Sequence, residues 1–116
     1  MSVTKGLDTR GTDGPVISVI KLKVDAADMG ELLAEGIAVL AAESRDLQGF
    51  LAAQILVSVD NKTIVILTEW SDHHAWGQSR YDARVGEMTE RLYIKSTTFE
   101  FETYTRRANF APEIIK

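Results

Sequence analysis

Two apolar segments joined by a tight turn constrain this chain more than any other feature. Phe50–Val59 and Thr63–Trp70 carry hydrophobic side chains at odd and even positions alike. Leu51, Ala53, Ile55, Val57 and Val59 stand against Phe50, Ala52 and Leu56 in the first, and Ile64 and Ile66 against Val65 and Leu67 in the second. Between them, Asp60-Asn61-Lys62 is short-hairpin chemistry, because Asn and Asp tolerate positive φ. The two segments are therefore predicted antiparallel neighbours. An antiparallel sheet wetted on one side alternates apolar with polar residues; these strands do not, so both faces of the sheet need cover.

The flanking segments supply the remaining elements. Val16–Val24 reads as a strand with Val16, Ser18, Ile20, Leu22 and Val24 on one side. Asp25 to Asp28 offers N-cap oxygens, and Met29, Leu32, Leu33, Ile37 and Leu40 then recur at helical spacing. Arg45 to Gly49 ends that helix. Ser71 is the predicted N-cap of the next one, whose apolar residues fall on two stripes. At about 100° per residue, Ala75, Trp76, Ser79 and Ala83 share one face, while Tyr81, Val85, Met88 and Leu92 share a nearly opposite one. One straight helix cannot bury both, so a break is predicted in Ser79–Arg84, with Gly86 as a second candidate. Ser96–Thr105 is the last strand, with Phe99, Phe101 and Thr103 alternating with Glu100, Glu102 and Tyr104.

The order strand, helix, strand, strand, broken helix, strand is a repeated split β-α-β unit. It predicts an α+β, ferredoxin-like βαββαβ domain with a four-stranded antiparallel sheet and helices on one face. The second face then lies bare. At about 25 cal/mol per Å², about 500 Å² of apolar sheet left in water would forgo about 12 kcal/mol, comparable to a whole domain's stability. A second copy packed sheet against sheet is the expected cover, giving a homodimer.

The 116 residues suit one domain, read as a flexible N-terminal arm (1–15), the folded unit (16–105) and a C-terminal tail (106–116). With 13 basic and 17 acidic residues, the net charge of −4 lacks the basic footprint of a nucleic-acid binder. The sequence has no cysteine, which excludes disulfides, thiolate metal sites and cysteine nucleophiles. Met1–Pro15 has no apolar signal-peptide core, and no apolar run approaches the roughly 20 residues that span a bilayer. A cytoplasmic protein with no membrane partner is expected.

The strongest chemical signal is the junction Thr63–Trp76, where an apolar strand runs into Trp70 and the following helix presents Trp76. A strand that delivers a large aromatic beneath a helix builds a flat apolar slot for a small aromatic molecule. Each candidate residue also has a purely structural reading. Trp70 and Trp76 could simply be packing. His73 and His74 are adjacent, about 100° apart, and cannot chelate one metal as an i, i+4 pair can; His73 is the one placed to act as a general base. Arg80 and Arg84 flank Tyr81 at the predicted break. They are either surface ion-pair partners or cations that stabilise a phenolate. Ser18, small and polar in an apolar run, either bonds a ligand or its neighbours.

The order of elements, the Gln48-Gly49-Phe50 step, the Ser58-Val59-Asp60 turn and above all Thr68-Glu69-Trp70-Ser71-Asp72 resemble antibiotic biosynthesis monooxygenase domains, over about Val16–Tyr104. The resemblance implies a dimeric α+β barrel. It also implies a range of chemistries: cofactor-free oxidation of polycyclic phenols, haem degradation, or reaction with small quinols. Trp70 matches the strand-end aromatic that lines the family's pocket, and Trp76 falls where members carry Tyr, Phe or Leu. Haem-degrading members use a helix His about ten residues past the Trp and an Asn on the first strand. Ser79 and Arg80 stand at those helix positions here, and Val16–Val24 has no Asn. An axial ligand is therefore missing and haem is not expected; flavin and metal are not expected either. The expected function is cofactor-independent monooxygenation of a small or polycyclic phenol- or quinol-type substrate, with Trp70, His73 and Arg80 as catalytic candidates and Ser18, Trp76, Tyr81 and Arg84 as substrate-binding ones. The alternatives are a non-catalytic binding module, or a non-oxidative cyclase or isomerase.

Overall fold

A computed structural model describes residues 14–42, 44–108 and 110. The expectations for the arm before residue 14 and for the tail from 111 lie outside the described residues. The elements are β1 (Val16–Val24), α1 (Ala26–Ala42), a 3-10 turn (Ser44–Asp46), β2 (Phe50–Val57), β3 (Thr63–Trp70), α2 (His73–Ser79), α3 (Ala83–Lys95) and β4 (Ser96–Tyr104). The four strands form one antiparallel sheet in the order β2-β3-β1-β4. This is the α+β, ferredoxin-like arrangement the sequence predicts.

The hairpin between β2 and β3 closes as its residues dictate. Asn61 adopts φ 64°, and the Ser58 hydroxyl donates to Asp60 Oδ1 at 2.6 Å. The Thr63 amide donates back to Ser58 Oγ at 2.9 Å. Register places Val16, Ser18, Ile20 and Leu22 opposite Trp70, Thr68, Ile66 and Ile64, all on the helix-covered face. Leu22 and Ile64 there are almost completely buried, with Leu32 of α1 and Leu92 of α3 packed above them.

Several local expectations are corrected. β2 stops at Val57 rather than Val59, and a bulge between Phe50 and Ala52 puts Phe50 on the same side as Ala53 and Ile55. Phe50 meets Trp70 edge-on, ring centroids 5.4 Å apart. In α1 the buried stripe is Met29, Leu32, Gly36, Val39 and Leu40, whereas Ile37 is 56% exposed. Glycine carries no hydrophobic weight in a periodicity count, yet Gly36 is where the helix leans on Ile55. The N-cap of α2 is Asp72, not Ser71; its carboxylate accepts from the Ala75 amide at 2.7 Å.

The predicted break is present. Arg80, Tyr81 and Asp82 donate their amides to Gly77, Gln78 and Ser79 carbonyls, tightening the chain into a turn. Asp82 then restarts helix by accepting from the Arg84 and Val85 amides at 3.1 and 3.0 Å. Each such cap is worth about 1 kcal/mol. Tyr81, counted with the Met88 stripe in the sequence, lies in the turn and is 83% exposed.

On the outer face Ile17, Val19, Val65 and Leu67 sit half-buried at the centre, with Leu56 49% exposed beside them. Lys21, Lys23, Glu100 and Glu102 extend this face toward its polar margin. Arg106, past the end of β4, pairs with Glu69 at 3.1 Å. No described helix is long and apolar enough to cross a membrane.

Candidate functional site

The break between α2 and α3 stands over a row of small residues in the sheet. Ser18 of β1 pairs with Thr68 of β3 and Thr103 of β4, whereas the rows on either side hold Val16–Trp70 and Ile20–Ile66. Small side chains beneath an interrupted helix leave a hollow, and a cavity of about 150 Å³ occupies it. Ser18, Thr68, Ile66 and Trp70 make the floor; Trp76, Ser79, Val85, Met88 and Thr89 make the roof.

The cavity runs across the sheet and its two ends differ. Arg80 and Phe101 lie at one end, on the β4 edge, and Phe101 is 55% exposed. The Arg80 guanidinium sits 5.3 Å from the Trp76 ring centroid and 6.0 Å from that of Phe101, bridging helix and strand at the mouth. Leu40 and Ser44 lie at the other end, in the segment that packs against β2 at the opposite edge of the sheet. Ser44 is 1% exposed.

Most polar groups of the lining are committed locally. The Trp70 indole Nε1 donates to Thr68 Oγ1 at 2.9 Å, which fixes the ring against the floor. Ser79 Oγ donates to the Trp76 carbonyl at 2.6 Å, and Thr89 Oγ1 donates to the Val85 carbonyl at 2.9 Å. Ser44 Oγ is buried with no hydrogen-bond partner. Leaving a buried hydroxyl unpaired costs about 1–3 kcal/mol.

Of the residues singled out in the sequence, Ser18, Trp70, Trp76 and Arg80 come together around this cavity. His73, Tyr81 and Arg84 are not among its lining. His73 meets the Trp76 ring at a 51° tilt, 5.0 Å between centroids, and with His74, Gln78, Arg80 and Tyr81 it lines a separate polar groove on the outside of α2. Among the described residues, no three His, Cys, Asp or Glu side chains gather as a metal would require. Sequence reasoning missed Ser44, Thr68, Ser79, Thr89, Phe99 and Phe101. The strand pairs Ser18–Thr68 and Ile20–Phe101 were derivable once β3 and β4 were set beside β1. Ser44 left no periodic signal.

The fold and this cavity define an α+β domain with an aromatic-walled slot under a broken helix. The chain belongs to the antibiotic biosynthesis monooxygenase family, whose sequence model matches residues 15–89. Solved structures of the same fold include SnoaB, a cofactor-independent oxygenase from Streptomyces nogalater, at 20% identity and TM-score 0.68, covering 85% of this chain and 99% of that one. Rv0793 from Mycobacterium tuberculosis aligns at 13% identity and TM-score 0.74, over 84% of this chain and 100% of that one. A conserved protein from Methanosarcina mazei Go1 aligns at 15% identity and TM-score 0.74, over 85% and 99%. No curated protein matches the sequence.

Proposed function

We propose that this protein is a cofactor-independent monooxygenase acting on a small phenol-type substrate held between Trp70 and Trp76. The observation that carries the reading is the apolar, aromatic-walled cavity with the Arg80 guanidinium at its mouth. A space of about 150 Å³, open at its mouth, holds one benzene-sized ring inside and leaves a second ring to extend into the mouth, whereas pockets for drug-sized ligands measure about 300–1,000 Å³. Size therefore favours one or two fused rings over larger polycycles.

The chemistry asks for orientation, exclusion of water and stabilisation of an anion. An electron-rich phenol loses its proton to become a phenolate, and Arg80 stabilises the negative oxygen at the mouth. The ring then reacts with O2; one oxygen atom enters the ring para to the phenol oxygen and the other leaves as water. The substrate itself supplies all four electrons and becomes a quinone. Trp70, anchored through Thr68, holds the ring flat, and Ser18 lies beneath it in the floor. His73, in tilted contact with Trp76 outside the slot, accepts the proton through solvent at the rim rather than from within.

The half-buried apolar centre of the outer sheet face supports a homodimer as the working form, since a second copy would cover Val19, Val65 and Leu67. No nucleic acid, membrane, haem, flavin or metal enters this account, and a cytoplasmic location goes with it.

An oxygen electrode tests the reaction. Purified protein with 1-naphthol is expected to consume O2 above the spontaneous rate and to release one quinone per O2. Arg80→Met is expected to slow this about 10²-fold, the usual cost of removing one group that stabilises an anion in the transition state. Binding without O2 uptake would instead make the protein a binding module, and product formed without O2 would make it a cyclase or isomerase.

A further inference from the structure

Arg80 borders two hollows. It stands at the mouth of the aromatic slot, and it also lines the groove on the outside of α2, an open space of about 480 Å³ shared with His73, His74, Gln78 and Tyr81. Slot and groove therefore meet at a guanidinium. The groove's chemistry is one-sided. Arg80 is charged at any ordinary pH, and the His74 imidazole, the Gln78 amide and the Tyr81 hydroxyl can each donate a hydrogen bond. The chain has 17 acidic residues, yet the described lining of the groove includes no carboxylate. The acids that flank this stretch in sequence, Asp72 and Asp82, accept from backbone amides as the caps of α2 and α3. Arg80 itself lies over the Trp76 and Phe101 rings and forms no ion pair among the described residues.

We infer that the groove outside α2 seats a carboxylate carried on a short arm of the ring that occupies the slot, with Arg80 holding the charge and Gln78 and Tyr81 beside it. This rests on the reading of the cavity as an aromatic slot, and adds to it the chemical class of the group that protrudes. A carboxylate matches the planar fork of a guanidinium, which binds it through two parallel hydrogen bonds. Five N–H donors let Arg80 serve the phenol oxygen and the carboxylate together. The charge also decides which end of the ring enters first. A carboxylate inside the apolar slot would lose its hydration without a partner, so the arm stays at the mouth. With the arm ortho to the phenol oxygen, both oxygen functions face Arg80. The para carbon, which takes up the oxygen atom, then points inward and remains unsubstituted.

The test is a calorimetric titration at pH 7 with 2-hydroxyphenylacetate and its neutral amide, 2-hydroxyphenylacetamide. The two share ring and arm and differ in charge. At about 0.01 M ionic strength, wild-type protein is expected to bind the acid about fivefold more tightly than the amide, the upper worth of an exposed charge pair. Most of that margin is expected to disappear at about 1 M salt, where charges are screened beyond about 3 Å. Gln78 is exposed on α2, and Gln78→Glu puts a carboxylate into the groove. This variant is expected to bring the acid-to-amide ratio to one or below while affinity for the amide holds. Arg80→Met is expected to bring the same ratio to one. Equal binding of acid and amide by wild type, or a margin that persists in either variant or in high salt, overturns the carboxylate seat and leaves the slot standing. So does binding of 1-naphthol alone. Failure of all three compounds to bind wild type overturns both.

Discussion

Gly49 gives the sharpest prediction that the fold makes about the site. It sits at φ +85°, a conformation side chains rarely adopt, and its carbonyl accepts from the Ser71 amide at 2.7 Å. A Cβ built there would lie 2.4 Å from the Ala75 Cβ and 2.8 Å from Ser71 Oγ. Gly49→Ala therefore incurs about 1–2 kcal/mol for the left-handed backbone and about 1–3 kcal/mol for overpacking. A total near 3 kcal/mol, at an m-value of about 1.5 kcal/mol/M, lowers the urea midpoint by about 2 M. Relief of the clash has to push α2 outward, and α2 carries Trp76, so affinity for small phenols is expected to fall as well. Gly36→Ala is the control. Its Cβ would meet Ile55 Cδ1 at an ordinary 3.5 Å, and replacing glycine inside a helix gains up to about 1 kcal/mol. Both variants are compared at one protein concentration, because association shifts apparent stability. A Gly49→Ala midpoint within about 0.3 M of wild type, or below-wild-type stability for Gly36→Ala alone, would refute the packing argument.

Two further outcomes follow from the sheet. Leu67→Glu places a charge at the centre of the outer face, next to Val19 and Gln54 in register; sedimentation at micromolar concentration is expected to give a dimer for wild type and a monomer or an insoluble variant. A wild-type monomer under those conditions would remove the dimer from the account. In the β2–β3 turn the Ser58 hydroxyl, and then the Lys62 amide, hold the Asp60 carboxylate below its usual pKa. A folded-state pKa below the unfolded one stabilises fully above the ordinary carboxylate range and loses that contribution as the pH falls through the folded value. Ser58→Ala is expected to flatten the decline in stability below about pH 4, apart from a pH-independent offset. An acid limb of unchanged slope would contradict this.

The elements were legible where a residue's chemistry acts locally. Asp60-Asn61-Lys62 specified its own turn, and the clash of two helical stripes forced a break that Asp82 delivers. Legibility failed where the cause is distant. Ile37 fits the helical period but is exposed, because Gly36 sets which side of α1 approaches β2. The bulge at Leu51 shifts Phe50 onto Trp70, and a strict alternation cannot register an extra residue. Tyr81 counted as apolar stripe only while the helix was treated as continuous. Within the site, Trp70 and Trp76 were visible as large aromatics at a strand–helix junction. Ser44 was not, since one serine in a turn gains meaning only from the cavity that tertiary packing places beside it.

The central claim is that a small ring lies inside the slot between sheet and broken helix. NMR of the protein with 15N-labelled indoles tests it most directly, since its two tryptophans both line the cavity. Adding 4-ethylphenol is expected to shift both Nε1–H resonances along one saturable curve, with one ligand per chain. Unmoved indole resonances, with shifts confined to Val65 and Leu67 on the outer face, would contradict it.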